Sequence, residues 1–185
     1  MATVFLMRHG SSDGMRERLI GRSDIGLNKH GRSESGRAAE ACRRLGVEIV
    51  ATSPRRRARE TAEIIAETVG CGVEVIDAFD EVDYGVWSGK QFSELMADPE
   101  WRRFNEARDD AQIPGGEALD AVSRRIRDGL EQLCDRHRRS DLVVVTHAEI
   151  IRGALLLAES RSWSSWSLYQ PEPASVTPVR WADDR

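Results

Sequence analysis

The sequence is short of lysine, of net positive charge and of long apolar runs, and the last two shortages each exclude a class of protein. Only two of the 27 basic residues, Lys29 and Lys90, are lysines, and the formal net charge is −4. This balance argues against a nucleic-acid binder, whose surface is basic. No apolar run approaches the ~20 residues of a membrane span, and no basic segment leads into an apolar core at the amino terminus. We therefore predict a cytoplasmic protein with no membrane or nucleic-acid partner.

Cysteine is also scarce. The three cysteines, Cys42, Cys71 and Cys134, lie far apart and lack the paired spacing of zinc sites. An odd number of separated thiols is typical of a reducing compartment. We predict no metal site and no cofactor. The 185 residues favour a single domain, 1–185, that is long enough to bury its own core.

Apolar segments alternate with helical patterns along the chain. They predict strands at 4–7, 47–52, 73–76, 143–145, 166–169 and 176–181, and helices at 28–46, 54–69, 119–137 and 150–157. The first and fourth strands are apolar on both faces, as in parallel sheets covered by helices. We predict an α/β fold, a three-layer α/β/α sandwich with a largely parallel central sheet. Short polar helices after residue 90 predict a helical cap excursion at about 91–137.

Polar residues stand where the predicted strands end. Arg8 and His9 follow the first strand, Ser53 follows the second, and His147 follows the fourth; Glu81 lies just beyond the third. The carboxyl ends of parallel strands share one edge of the sheet, where ligands bind in α/β proteins. Any one of these placements is also explained by an ordinary strand-to-loop transition. Their joint occurrence predicts a site.

An arginine cluster, Arg55, Arg56, Arg57 and Arg59, opens the second predicted helix, directly after the capping pair Ser53-Pro54. The helix dipole disfavours cations at this end by ~0.3–1 kcal/mol each, whereas a bound anion reverses the sign. Most of these arginines are explained as solvated surface residues. Helical phase selects Arg57 as the one that points at an anion.

Two histidines, two arginines and an acid are the groups that phosphoryl transfer to a nitrogen nucleophile requires. Arginines neutralise the phosphoryl oxygens while one imidazole attacks phosphorus and the other stabilises the transferring group. A carboxylic acid protonates the leaving oxygen and then activates water. The same histidines and acid are also conceivable as metal ligands, although the arginines would repel a cation.

The chain resembles the histidine phosphatase superfamily, the phosphoglycerate-mutase-like proteins. The resemblance rests on five blocks in order: Arg8-His9-Gly10; the spacing of Gly21, Asp24, Leu27 and Gly31; Ser53 to Ala62; Glu81 to Gly89; and Thr146-His147. It implies that His9 is the phosphorylated nucleophile and Glu81 the proton donor and acceptor. Arg8, Arg57 and His147 would complete the phosphate pocket. We expect substrate contacts from Gly10, Ser12, Gly21, Arg22 and Ala148, with Gly10 letting backbone N–H groups approach the phosphate.

Three positions depart from the family pattern. Met15 stands where many relatives have asparagine, Ser88 where glutamate is frequent, and Ala148 where glycine is usual. The stretch from Trp101 to Glu117 is similar to the phosphatase branch, which includes alpha-ribazole phosphatases. The resemblance thus implies metal-independent hydrolysis of a small-molecule phosphomonoester, with alpha-ribazole phosphate as a candidate. Mutase-type phosphoryl transfer and a non-catalytic phosphate-binding module are the alternatives. The segment around Trp163 fits either a homodimer interface or a sheet edge.

Overall fold

Five strands form one sheet, and their order places the strand before His9 next to the strand before His147. A computed structural model of the chain describes residues 3–181. The strands are β1 (Val4–Arg8), β2 (Ile49–Thr52), β3 (Val73–Val75), β4 (Leu142–Thr146) and β5 (Val176–Val179), in the order β3-β2-β4-β1-β5. All neighbouring pairs are parallel except β1 and β5. The predicted α/β fold with a largely parallel sheet is confirmed.

Helices cover both faces of the sheet. They are α1 (Lys29–Arg44), α2 (Arg56–Val69), α3 (Phe92–Ala97), α4 (Pro99–Glu106), α5 (Leu119–Arg136) and α6 (Ala148–Ala158). Successive residues of β1 point to opposite faces: Phe5 and Met7 pack with α1 and α2, whereas Val4 and Leu6 pack with α5 and α6. The sandwich therefore has three layers. Within residues 3–181, no helix combines the length and apolar character needed to cross a bilayer.

The helices α3, α4 and α5 fall within the predicted cap excursion at about 91–137 and share one core. Val122, Ile126 and Leu130 of α5 are fully buried in the same core as Leu142 of β4, and Leu95 of α3 and Phe104 of α4 belong to that core as well. The arrangement of these helices as a cap over one edge of the sheet stays a prediction.

The predicted strand at 166–169 is wrong. Residues Trp163–Leu168 form a 3-10 helix instead. Both indole groups find partners on neighbouring helices, since Trp163 Nε1–H donates to Ser123 Oγ at 2.9 Å and Trp166 Nε1–H donates to Asn105 O at 3.2 Å. These tertiary contacts outweigh the extended preference of the aromatic residues. The last predicted strand is confirmed as β5, which ends two residues before Trp181.

A pair of glycines lets the loop after β1 lie directly on α1. A Cβ added to Gly31 would stand 2.0 Å from the carbonyl oxygen of Ser11, and one added to Gly10 would stand 2.5 Å from the carbonyl oxygen of Gly31. Both obstacles are backbone atoms, which cannot swing aside. The position of the loop therefore depends on the absence of these two side chains.

We expect Gly31→Ala to lower the free energy of unfolding by ~1–3 kcal/mol, because the methyl group overpacks this contact. Gly36→Ala is the matched control, since it lies on the same helix and a Cβ there meets no described atom within 4 Å. There the better helix propensity of alanine should raise the free energy of unfolding by ~0.5–1 kcal/mol. Urea unfolding of both variants measures the difference, and equal stabilisation by both would contradict the packing argument.

Candidate active site

His9 and His147 lie side by side because the strands that precede them are neighbours in register. Arg8 pairs with Thr146 at the last step of the parallel β1–β4 ladder, and His9 N–H continues it by donating to Thr146 O at 2.9 Å. The two imidazole rings meet edge to face with centroids 5.2 Å apart. Both rings are buried, His147 completely.

The guanidinium of Arg57 lies between the two rings. This side chain is 1% exposed. Its Nε–H donates to His9 Nε2 at 3.0 Å, and its Nη2 donates to His147 Nδ1 at 3.1 Å and to Gly21 O at 2.7 Å. Gly21 offers that carbonyl from a backbone with φ of +53°, a conformation that glycine adopts freely. Arg57 thus joins β1, β4 and the loop before α1 into one site.

The other three arginines of the cluster are used elsewhere. Arg55 forms a two-point ion pair with Asp80, with both N–O distances 2.8 Å. Arg56 pairs with Glu60 at 2.8 Å, and Arg59 lies 3.9 Å from Glu63, both at exposed positions. Helical phase therefore selected the one arginine of the four that reaches the histidines.

The hydrogen-bond network assigns the tautomers of both histidines. His9 Nδ1 lies 2.7 Å from Gly10 O, which only accepts, so Nδ1 carries the proton and Nε2 presents its lone pair. His147 accepts from Arg57 at Nδ1 and therefore carries its proton on Nε2, which donates to Ser53 Oγ at 2.7 Å. The predicted role of Ser53 as a helix cap is wrong, because α2 begins at Arg56 with Arg55 at its N-cap. The Ser53 hydroxyl orients His147 instead.

Both imidazoles are held neutral. Burial, reinforced by the positive charge of Arg57, lowers the pKa of His9 and of His147 well below the ordinary value of a histidine. A neutral His9 keeps the Nε2 lone pair that a nucleophile needs. The guanidinium between the rings also opposes a metal cation at this position, because like charges repel at such short range.

Glu81 is the acid of the site. Its Oε2 lies 3.6 Å from His147 Nδ1 and 3.9 Å from Arg57 Nη2, while its Oε1 accepts from the N–H of Val82 at 2.9 Å. Burial raises the pKa of Glu81 to about 7, against the opposing effect of Arg57. This carboxyl group is therefore able to donate a proton at mildly acidic pH and to accept one near neutrality.

A network of ion pairs fixes the backbone that carries Glu81. Arg125 of α5 donates to Ala78 O at 2.8 Å and to Asp80 O at 2.7 Å, and Arg22 donates to Glu81 O at 2.8 Å. Glu117 bridges the two guanidinium groups, at 3.1 Å from Arg22 and 2.7 Å from Arg125. No spacing pattern in the sequence marks Glu117 or Arg125. Arg125 donates to backbone carbonyls distant along the chain, and Glu117 accepts from Arg22, 95 residues away.

A cavity of about 250 Å³ opens beside these groups. Of the ten predicted site residues, seven line it: Arg8, His9, Ser12, Gly21, Arg57, Glu81 and Ala148. His147 lies behind Arg57. Gly10 and Arg22 do not reach the cavity: Gly10 N–H donates to Thr61 Oγ1 at 3.1 Å, and Arg22 is held by Glu117 and the backbone of Glu81. Gly10 serves the packing of the loop on α1, and Arg22 supports the loop of the acid.

Three polar atoms of residues that line the cavity lack hydrogen-bond partners. Arg8 Nη1 donates to Pro171 O at 2.8 Å, but Arg8 Nε, Ser12 Oγ and Arg108 Nε are buried without a hydrogen-bond partner among residues 3–181. An unsatisfied buried polar group costs ~1–3 kcal/mol. All three atoms are donors, so an anion in the cavity would satisfy them.

The wall of the cavity also carries a second charged group that sequence analysis did not find. Arg108 and Arg152 each form an ion pair with one oxygen of Glu149. Arg108 also stacks on the ring of Trp166, with its Cζ 3.8 Å from the ring centroid. Glu149 lies two residues after His147, and this proximity is the feature of the sequence from which its place near the site could have been predicted.

Comparisons with known proteins agree with this geometry. The model of the histidine phosphatase superfamily (branch 1) matches residues 4–185. The chain is 35% identical over 158 residues to the bifunctional protein Rv2228c of Mycobacterium tuberculosis, but spans only 43% of its length. It is 35% identical over 150 residues to a probable phosphoglycerate mutase GpmB of Klebsiella pneumoniae, covering 80% of this chain and 70% of that protein. The native structure of the mycobacterial glucosyl-3-phosphoglycerate phosphatase Rv2419c superposes with a TM-score of 0.85 at 25% identity, over 96% of this chain and 89% of the other.

Proposed function

The chain belongs to the histidine phosphatase superfamily, and on that premise we propose that it hydrolyses small-molecule phosphomonoesters through a phosphohistidine at His9, without a metal ion. One observation carries the proposal. The Nε2 lone pair of a neutral His9, the guanidinium of Arg57 and the carboxyl group of Glu81 converge on one cavity. These are a nucleophile, an oxyanion stabiliser and an acid within reach of one another.

In the first step His9 Nε2 attacks phosphorus, and the bond from phosphorus to the leaving oxygen breaks. A phosphoryl oxygen replaces His9 as acceptor of the Arg57 Nε–H, which frees the lone pair for attack. Arg8 and Ser12 donate to the other phosphoryl oxygens through the atoms that are otherwise unsatisfied. Protonated Glu81 transfers its proton to the leaving oxygen, so the alcohol departs neutral.

In the second step water attacks the phosphohistidine. Glu81, now a carboxylate, accepts a proton from the water as the nitrogen–phosphorus bond breaks, and inorganic phosphate forms. The cycle returns His9 to its neutral form and Glu81 to its acid form. Arg57 remains charged throughout and stabilises both transition states, which supplies the positive charge that a metal ion provides in other phosphatases.

The identity of the natural substrate is a more specific proposal than the reaction class. Alpha-ribazole phosphate stays the candidate from the sequence resemblance, while the comparisons contribute phosphoglycerate and glucosyl-3-phosphoglycerate, the compounds that the names of two similar proteins contain. Mutase-type transfer and phosphate binding without turnover stay as alternatives. A cytoplasmic location, a single domain and the oligomeric state likewise stay predictions.

A panel of these three phosphomonoesters, with p-nitrophenyl phosphate added, tests the proposal. We expect release of inorganic phosphate from at least one compound, at an unchanged rate after prolonged dialysis against a chelator. Interconversion of phosphoglycerates without phosphate release would favour the mutase alternative. Saturable binding without release would favour the binding module, and loss of activity on chelation would contradict the metal-independent mechanism.

A further inference from the structure

Arg108 is a buried cation of the cavity wall with an unused donor. The residue is 4% exposed and lines the cavity. Its Nη1 donates to Glu149 Oε2 and its Nη2 donates to Asn105 Oδ1 at 3.0 Å, but its Nε is buried without a partner among residues 3–181. Every N–H of a guanidinium is a donor, and a buried one that lacks an acceptor is costly. The folded chain therefore leaves this residue one acceptor short.

The neighbouring Arg152 differs from Arg108, because each of its nitrogens has an acceptor. Its Nη1 donates to Glu149, its Nε to Tyr169 O at 2.9 Å and its Nη2 to Gln170 Oε1 at 3.2 Å. Of the two arginines that share the Glu149 carboxylate, Arg108 is thus the one whose hydrogen bonding a ligand would complete.

Aromatic rings hold the guanidinium of Arg108 in place. Its Cζ lies 3.8 Å from the centroid of the Trp166 ring and 4.8 Å from that of the Phe104 ring. Trp166 is itself held by the bond from its Nε1–H to Asn105 O at 3.2 Å. A stacked guanidinium keeps its N–H groups in the plane of its edge, where they can donate. The unused donor is therefore oriented before a ligand binds, which lowers the entropic cost of binding.

The positive charge of the cavity wall exceeds what a phosphoryl group neutralises. Apart from Arg18, which is exposed and screened by solvent, four arginines and two glutamates line the cavity. Glu81 is protonated when the proposed first step begins, so the wall then carries three more positive charges than negative ones. A phosphoryl dianion leaves one of them without a counter-charge. The four arginines are Arg8, Arg57, Arg108 and Arg152, and the charged glutamate is Glu149.

One small molecule can contact both Arg108 and the phosphoryl site. Glu149, the partner of Arg108, lies in the first turn of α6, which begins directly after His147. Burial is the main cause of the raised pKa of Glu81, and the Glu149 carboxylate raises it further, so the two groups interact. The cavity of about 250 Å³ is smaller than the ~300–1,000 Å³ of sites for drug-sized ligands. This volume favours a single small ligand with two anionic groups over two separate ligands.

We propose that Arg108 is a specificity-determining residue that binds a carboxylate on the leaving group through its Nε–H, so that the chain takes small phosphomonoesters of hydroxy acids. The inference rests on the proposed function in that the phosphoryl group is bound at His9. A carboxylate is favoured over a second phosphate because it brings the single negative charge that the wall lacks. Glu149 acts as a positioning residue, since it holds Nη1 of Arg108 and leaves Nε for the ligand.

Matched phosphonates test this without turnover. Phosphonoacetate, 3-phosphonopropionate and 4-phosphonobutyrate are each compared with the corresponding primary amide by calorimetry below pH 7, where Glu81 is protonated. At one chain length or more, the wild-type chain should bind the carboxylate about tenfold more tightly than the amide, the scale of one hydrogen bond to a charged group. In Arg108→Gln this preference should vanish, whereas binding of the amide should change little. Arg102→Gln, which removes an exposed arginine of α4, should keep the wild-type ratio.

Glu149→Gln supplies the opposite change. It removes the anion that Arg108 already pairs with, so the preference for the carboxylate should rise above that of the wild-type chain. This measurement decides the matter if Arg108→Gln fails to fold by urea unfolding. Wild-type binding that favours no carboxylate over its amide, an unchanged ratio in a variant that folds, or no binding of any phosphonate overturns the inference.

The phosphate esters of the same hydroxy acids separate this inference from the proposed hydrolysis. A carboxylate preference among the phosphonates with no phosphate release from the esters would contradict the hydrolysis while supporting the role of Arg108. Phosphate release from the esters without that preference would support the hydrolysis and contradict the role of Arg108.

Discussion

Replacing His9 by alanine is expected to lower kcat for any phosphomonoester that the chain hydrolyses by at least about 10⁴-fold, the scale seen when a nucleophile is removed from a catalytic unit. The reason is that the other groups of the site stabilise a phosphoryl group but cannot accept it. Arg57 keeps its bonds to Gly21 and His147 in this variant, so the pocket should remain formed. Steady-state phosphate release measures the loss, and mass spectrometry after rapid neutral quenching locates the phosphoryl group.

The matched control is His30→Ala, which removes an exposed histidine of α1 that pairs with Glu34. It should leave kcat within about twofold of the wild-type value, as is usual for surface positions. In the wild-type chain the quenched intermediate should carry the phosphoryl group on His9. Detection of that group on His147, or full turnover by His9→Ala, would refute the assigned nucleophile.

Glu81→Gln is expected to lower kcat by about 10²–10⁴-fold for alkyl phosphates, because the amide cannot protonate the leaving oxygen. The loss should be smaller for p-nitrophenyl phosphate, whose leaving group departs without help. Wild-type activity should fall as pH rises through about 7, the pKa of Glu81, and this decline should disappear in the variant. A pH–rate profile with both substrates tests each point, with Glu67→Gln at an exposed position of α2 as control.

The same carboxyl group makes stability depend on pH. Its pKa in the folded chain, about 7, lies above the ordinary value of 4.5, so the folded state binds the proton more tightly than the unfolded state. This contribution to the free energy of unfolding is complete below pH 4.5 and is lost as pH rises through 7, a total of about 3 kcal/mol. Glu81→Gln should therefore gain stability relative to wild type between pH 5 and pH 8. An equal pH dependence of urea unfolding in both chains would show that the carboxyl group is not buried in this way.

Sequence periodicity predicted the sheet and the site where local rules decide the outcome. The apolar runs of β1 and β4 have one structural solution, a buried strand, and their ends placed His9 and His147 together. Arg57 followed from helical phase, because the buried face of α2 also carries Ala58 and Thr61. Glu81 was placed in the site by its position just beyond the third predicted strand, its role as the acid followed from the family resemblance, and burial then explains its pKa.

Sequence periodicity could not predict contacts between segments that lie far apart along the chain. Ser53 resembles a helix cap by its neighbours, but the hydroxyl bonds to His147, 94 residues away. Trp166 resembles a strand residue, but Arg108 and Asn105 decide its conformation. Gly10 and Arg22 lie beside the site in sequence and serve its support. In each case the partner becomes a neighbour only in the folded chain, so no periodic pattern in the sequence indicates the contact.

The position of β1 in the sheet determines when the active site can form during synthesis of the chain. β1 is the first of the five strands to be synthesised, yet its neighbours are β4 at 142–146 and β5 at 176–179. Pairing over such separations closes long loops and is slow. On a ribosome, His9 thus leaves the exit tunnel before β4 does, and its imidazole stays solvated until β4 pairs with β1. It gains its neutral, oriented form only when translation of the described chain is almost complete.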